Sequence, residues 1–193
     1  MSRFARVARD TKETKVAVDL ELDGTGRASA DTGLPFLDHM LEQLGKHGRF
    51  DLTVVAKGDL EIDAHHTVED VGIALGQALA EALGDKAGIR RFGDATVPLD
   101  EARVSVALDL SGRAHVEHDV PVPAEMIGTY DPGLTEDFVR AFATAAEMTL
   151  HATRHAGRSP HHVVEAEFKA LAVALREAVS VIGGGTPSTK GVL

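Results

Sequence analysis

The sequence predicts an α+β fold made by internal duplication, and three observations carry that prediction. First, His65-His66-Thr67-Val68-Glu69 returns 96 positions later as His161-His162-Val163-Val164-Glu165. Second, the likeness continues past both motifs, with Ala74/Ala170, Leu75/Leu171, Ala78/Ala174, Leu79/Leu175, Glu81/Glu177 and Ala82/Ala178 matching in kind. Self-similarity held over so many positions marks two copies of one structural unit. Third, segments that alternate apolar and polar residues are interleaved, in both parts of the chain, with segments of helical spacing. Each half reads as strand, strand, helix, strand, helix or a close variant, with the division at residues 1–88 and 89–193.

Residues 14–22 alternate with period two and end at Asp23-Gly24-Thr25-Gly26, so they form a strand and a turn. Glu13, just before them, reads as a solvated strand-edge residue. Gly33-Leu34-Pro35 introduces a helix with Phe36, Leu37, Met40, Leu41 and Leu44 at helical spacing and Gly45 and Gly48 near its end. His39 lies in its first turn and, taken by itself, reads as a partly buried histidine. Residues 50–56 form a strand, Lys57-Gly58-Asp59 a turn, and residues 60–63 a short extended approach to the first His-His helix, which stops near Gly84. Residues 86–93 connect the halves, and Arg90 and Arg91 there suit either ordinary linker charge or an anion cradle.

The second half begins with a strand at residues 102–110, a turn at Ser111-Gly112-Arg113 and a returning strand at residues 114–118. A helix follows from about residue 135 to 147, then a strand at 148–153 and a polar loop at 155–160. The second His-His helix runs from there to about Val181. The tail, residues 183–191, reads either as a flexible polar terminus or as an anion clamp built from Lys190, a hydroxyl and backbone N–H groups.

Composition narrows the function. A chain of 193 residues with 44% hydrophobic content can bury a substantial core, and 4% aromatics means that Ala, Val and Leu must fill it by close packing. No apolar run approaches the ~18 residues of a membrane-spanning helix, and the first residues lack the apolar stretch of a signal peptide. The absence of cysteine excludes disulfides and thiolate ligands, and fits a cytoplasmic protein whose metal is held by nitrogen and oxygen. A net charge of −10 argues against nucleic acid or an anionic membrane as partner. An anionic substrate would need a local cationic pocket.

The repeated motif itself points to metal. Residues three apart share a helical face, so His66 with Glu69, and His162 with Glu165, can present an imidazole nitrogen and a carboxylate to one cation. His65 and His161 stand about 100° around the helix and can reach a second cation or another subunit. One such pair would ordinarily be a solvated or capping pair. Keeping both imidazoles and the carboxylate in two copies, while Thr67 changes to Val163, implies a dinuclear or bridged site.

With these residues laid out, the chain resembles the imidazoleglycerol-phosphate dehydratase family. The resemblance runs through Lys12-Glu13-Thr14, Phe36-Leu37-Asp38-His39-Met40-Leu41, Gly58-Asp59-Leu60, His65-His66-Thr67-Val68-Glu69-Asp70, Arg91-Phe92-Gly93, Asp100-Glu101-Ala102, His161-His162-Val163-Val164-Glu165 and Pro187-Ser188-Thr189-Lys190-Gly191. It implies two similar halves, each a four-stranded sheet with helices on one face, like domain 2 of ribosomal protein S5. It also implies two Mn²⁺ ions per active site, located between subunits of a homo-oligomer, a 24-mer built from trimers.

The resemblance implies metal ligands at His39, His65, His66, Glu69, His161, His162 and Glu165. The eighth family ligand is a histidine, and here that position holds Asp137. The internal repeat reaches the same position independently, because Asp38-His39-Met40 aligns with Glu136-Asp137-Phe138. An aspartate oxygen suits Mn²⁺ but reaches less far and adds charge. The implied substrate is a small phosphorylated imidazole, imidazole glycerol phosphate, which loses water to give imidazole acetol phosphate in histidine biosynthesis. A general acid or base is needed twice. Glu13 is implied as that group, Gln43, His47 and Lys169 as lining of the substrate pocket, and Arg91, Arg113, Ser188 and Lys190 as the phosphate site. Two other readings use the same residues, a dinuclear metallohydrolase and a metal-assembled scaffold.

Overall fold

A computed structural model describes residues 3–191. Residues 1, 2, 192 and 193, the outermost of the two expected halves, lie outside the described residues. The chain order is β1 (Phe4–Asp10), β2 (Thr14–Glu21), β3 (Ala28–Asp31), α1 (Pro35–Gly48), β4 (Asp51–Gly58) and α2 (His65–Leu83), then β5 (Phe92–Leu99), β6 (Ala102–Asp109), β7 (His115–Asp119), α3 (Leu134–Ala145), β8 (Thr149–Ala156) and α4 (Pro160–Ala178). Two four-stranded sheets result, β1-β2-β4-β3 and β5-β6-β8-β7. Each contains two antiparallel pairings and one parallel edge pairing, β3 on β4 and β7 on β8. The expected α+β class, with two similar halves and helices on the sheets, is the observed one.

Several boundaries differ from the sequence reading. β1, β3 and β5 depart from the expected elements: only Ala5 and Val7 of β1 point inward, β3 has four residues, and only Gly93 of β5 is buried, so none alternates strongly enough to stand out. The connector expected at residues 86–93 ends where β5 begins, and Pro98 is accommodated because β5 is an edge strand. Residues 115–119 do not return as a hairpin on β6; they cross over and pair in parallel with β8. Residues 60–62 form a turn where an extended approach is expected. α3 and α4 end earlier than expected, at Ala145 and Ala178, and β8 continues to Ala156, shortening the polar loop.

The helices are exchanged between the halves. α2 lies on β1, β2 and β4, and α4 on β5, β6 and β8, but α1 packs against α4 and α3 against α2. One continuous core joins both halves, from Val18 and Leu41 to Phe142 and Phe168. The approach of α2 to α3 depends on Gly72 and Gly76. A Cβ on Gly72 would stand 2.9 Å from the Phe138 carbonyl oxygen, and one on Gly76 would stand 2.4 Å from that of Phe142. α4 is started by Pro160 in its first turn and by Ser159, whose side chain accepts from the His162 N–H. These exchanges place each His-His motif beside a helix from the other half. Among the described residues, no helix is long and apolar enough to cross a membrane.

Candidate functional site

The parallel run of α1 beside α4 brings His39 to the second His-His motif. Nε2 of His39 and Nε2 of His161 converge on the same oxygen, Glu165 Oε2, at 3.5 and 3.1 Å. These three residues offer ligand atoms that all lie within 4.8 Å of one another, and no other such group of three occurs among the described residues. The other Glu165 oxygen is held by Lys169 Nζ at 2.6 Å. Burial opposes ionisation of Glu165, but Lys169 prevails and holds its carboxyl below the ordinary value. Farther along the same helix pair, His47 Nε2 lies 3.0 Å from Gln43 Oε1. Burial, reinforced by the Lys169 charge, pushes the His47 imidazole down. Gln43, His47 and Lys169 therefore continue the strip that begins at His39.

The equivalent place on α2 and α3 is looser. His65 Nδ1 lies 3.4 Å from Asp137 Oδ2, while its Nε2 lies 3.8 Å from Glu69 Oε2. The two carboxylates approach opposite nitrogens of one ring, and all three side chains are between two-fifths and half exposed.

This geometry corrects the pairing read from spacing. The ring that meets Glu69 belongs to His65 and the ring that meets Glu165 to His161, so the operative spacing is four residues rather than three. His66 and His162 turn instead toward the loops at the sheet ends, the β4–α2 connection and the β5–β6 hairpin. His66 Nδ1 lies 3.1 Å from Asp59 Oδ2, and His162 Nδ1 lies 2.7 Å from Glu101 Oε2. Each Nε2 is left toward a second carboxylate, Glu13 at 4.0 Å from His66 and Asp100 at 3.9 Å from His162. A carboxylate on Nδ1 fixes the tautomer that leaves Nε2 as a metal donor. Glu101 also accepts the Ser159 and Arg158 N–H groups, and its carboxyl is held down to about 2, chiefly by the His162 hydrogen bond.

Glu13 is 56% exposed, so it can meet a molecule arriving from outside. Its place is set by Thr14, whose hydroxyl donates to Asp70, the residue after Glu69, and by Arg9, which binds Asp70 at 2.7 Å. Asp59, Glu101 and Asp70 were not assigned from sequence. All three lie in the motifs that carry the family resemblance, but Asp59 and Glu101 fall outside the repeat and Asp70 becomes Ala166 in the second copy, so duplication does not single them out.

The cationic residues lie elsewhere. Arg91 is paired with Asp109 through Nε and Nη2, at 2.6 and 3.0 Å, and its Nη1 donates to the Pro187 carbonyl at 2.8 Å. The Lys190 N–H donates to Ser188 Oγ, and Arg113 touches the Ser111 carbonyl. Among the described residues, neither Arg113 nor Lys190 forms an ion pair. Arg91 N–H donates to the Ala178 carbonyl at the end of α4, whereas His161 lies at its start. Seventeen residues at a helical rise separate these points by about 26 Å. One chain thus brings together the expected metal and pocket residues in two clusters and leaves the expected phosphate residues at the opposite end.

Fold and site together define a class: a duplicated α+β protein whose histidine and carboxylate clusters stand where paired helices begin. The family model for imidazoleglycerol-phosphate dehydratase matches residues 32–175. The chain is 61% identical over 195 aligned residues to the enzyme of that name from Parafrankia sp. (strain EAN1pec), covering all of both chains. It is 52% identical to the chloroplastic enzyme of Pisum sativum, covering 69% of that longer protein. The crystal structure of the Pyrococcus furiosus enzyme superposes with a TM-score of 0.85 at 36% identity, covering 97% of this chain and all of that one. The Staphylococcus aureus enzyme gives 0.83 at 33% identity, covering 92% of this chain and 99% of that one. The chain belongs to the imidazoleglycerol-phosphate dehydratase family and is a dehydratase of the lyase class.

Proposed function

We propose that this chain dehydrates imidazole glycerol phosphate to imidazole acetol phosphate in histidine biosynthesis, as a cytoplasmic homo-oligomer with two Mn²⁺ ions per site. The observation that carries the metal part is the convergence of His39 and His161 on Glu165, in a family whose members are named for this substrate. The donor set fits the ion: nitrogen and carboxylate only, with His66 and His162 each presenting Nε2 because Nδ1 is engaged. The residues that would hold the pair are His39, His65, His66, Glu69, Asp137, His161, His162 and Glu165. Mn²⁺ bound there would act as a Lewis acid toward the substrate's imidazole.

The chain's own groups do the remaining work. Glu13, exposed and anchored through Thr14 and Asp70, moves the proton at its carboxylate oxygen beside His66. Lys169 keeps Glu165 ionised, and Gln43 and His47 line the same strip as hydrogen-bonding partners of the substrate. Arg91 is already neutralised by Asp109, so it serves the phosphate site by holding Pro187 and with it the segment carrying Ser188 and Lys190. Arg113 and Lys190 supply the charge that meets phosphate in an acidic protein. Because Arg91, which holds the segment of Ser188 and Lys190, stands about 26 Å along α4 from His161, a working site draws its phosphate cations from a second copy. The size proposed for the assembly is a 24-mer of trimers.

The experiment is turnover of imidazole glycerol phosphate by metal-stripped protein with and without Mn²⁺, following the ketone product. Metal-dependent formation of imidazole acetol phosphate is expected. Stoichiometric Mn²⁺ uptake without turnover would defeat the proposal and move the hydrolase or scaffold reading forward.

A further inference from the structure

The halves differ at a place that the chemistry above leaves unused. In the second half the core carries a polar bridge. Glu167 on α4 is 1% exposed, and His118 on β7, its side chain 4% exposed, lies with Nε2 2.8 Å from Glu167 Oε1. Among the described residues, the other Glu167 oxygen has no hydrogen-bond partner. His118 Nδ1 faces Glu136 Oε2 on α3 at 3.7 Å, and Arg140 binds Glu136 at 2.7 Å while donating to the Val116 carbonyl of β7. The bridge therefore runs from the interior of α4, through β7, to the first turn of α3. The next residue on α3 is Asp137.

The first half has no counterpart. Strand registers place Ala30, opposite Val54, where His118 stands opposite Ala152. The repeat places Val71, fully buried, where Glu167 stands. The residue beside the ligand candidate is held differently too. Asp38, next to His39 in the first turn of α1, accepts from the N–H and hydroxyl of Thr32 at 2.8 and 2.6 Å, in the loop just before that helix. The bridge thus occurs only in the half whose ligand candidate is an aspartate. An aspartate reaches less far than a histidine, so the helix that carries it tolerates less drift. Burying a carboxylate with one oxygen unpaired is unfavourable, and a core retains such a group where it specifies one arrangement.

We infer that His118 is a positioning residue: held by Glu167 and acting through Glu136, it sets the first turn of α3 so that Asp137 reaches the cation beside His65 and Glu69. This rests on the metal site proposed above.

The test is Mn²⁺ binding to the full chain, read by equilibrium dialysis and by the electron paramagnetic resonance signal of free ion. The double variant H118A/E167V installs the residues of the first half, so the core remains apolar. The expected result is a folded protein in which one class of Mn²⁺ sites weakens by on the order of tenfold or more. Adding Asp137→His should restore binding, because the longer side chain no longer depends on the fixed turn. Unchanged binding in the double variant, or a loss that Asp137→His does not restore, overturns the inference. Should the double variant fail to fold, Glu136→Ala breaks the bridge at its exposed end: weaker Mn²⁺ binding supports the inference and unchanged binding overturns it. If the unaltered chain binds no Mn²⁺, the metal site itself falls, and this inference with it.

Discussion

Glu101 joins two tasks in one carboxylate, orienting the His162 ring and capping the start of α4. It precedes β6 as Glu13 precedes β2, so equivalent hairpins supply an orienting group in one half and an exposed acid in the other. Glu101 sits at about 2 when folded, below its ordinary 4.5. Its ionised form therefore stabilises the fold above pH 4.5, and that contribution is lost as pH falls toward 2. Glu101→Gln should flatten the fall in thermal unfolding temperature across that interval and weaken Mn²⁺ binding by on the order of tenfold; an unchanged acid profile would contradict the role. Arg113 lies away from both clusters. Arg113→Ala should raise KM with bound metal unchanged, and loss of metal in that variant would disprove its place in the phosphate site. Glu13 shows how little a single residue announces: alone it is a strand-edge carboxylate, and only its distance to His66 gives it company suited to proton transfer.

At the scale of elements, the site depends on helices that come unusually near. Gly72 and Gly76 let the α3 backbone approach α2, which puts Asp137 against His65 and the ring within reach of Glu69. Gly76→Ala gains about 1 kcal/mol of helix propensity. The new Cβ would stand 2.4 Å from a backbone oxygen that cannot retreat alone, and overpacking of that kind costs about 1–3 kcal/mol. The variant should unfold at lower urea with weaker Mn²⁺ binding, and a gain in stability would show that the helices are free to separate. Helical periodicity exposed all four helices within a few residues, because each buries a broad apolar face. Strands β1, β3 and β5 escaped, since these edge strands bury too few side chains to alternate visibly. The parallel pairing of β7 escaped for another reason: Ser111-Gly112-Arg113 is compatible with a hairpin, and only the packing of α3 and β8 decides against it.

For the whole molecule, duplication is used twice. The halves exchange helix partners, so each cluster takes residues from both, His39 with His161 and Glu165 in one, His65 and Glu69 with Asp137 in the other. The residues proposed for the phosphate then stand toward the far end of α4, away from both clusters. Mixing and reassembling two inactive variants, Glu13→Gln and Lys190→Ala, should regain part of the activity, because some sites combine the intact residue of each. Mixtures as inactive as their parents would place the whole site within one chain.

The sequence by itself determined the duplication, the α+β class, the four helices and the residue types offered to a metal, because each leaves a repeated or periodic trace along the chain. Only the tertiary structure decided which histidine meets which carboxylate, that His66 and His162 turn to Asp59 and Glu101, and that the clusters form across the halves. Those choices follow from helix direction and close approach between segments distant in the chain. Spacing within a helix sets which side chains share a face, and what that face meets is settled by packing.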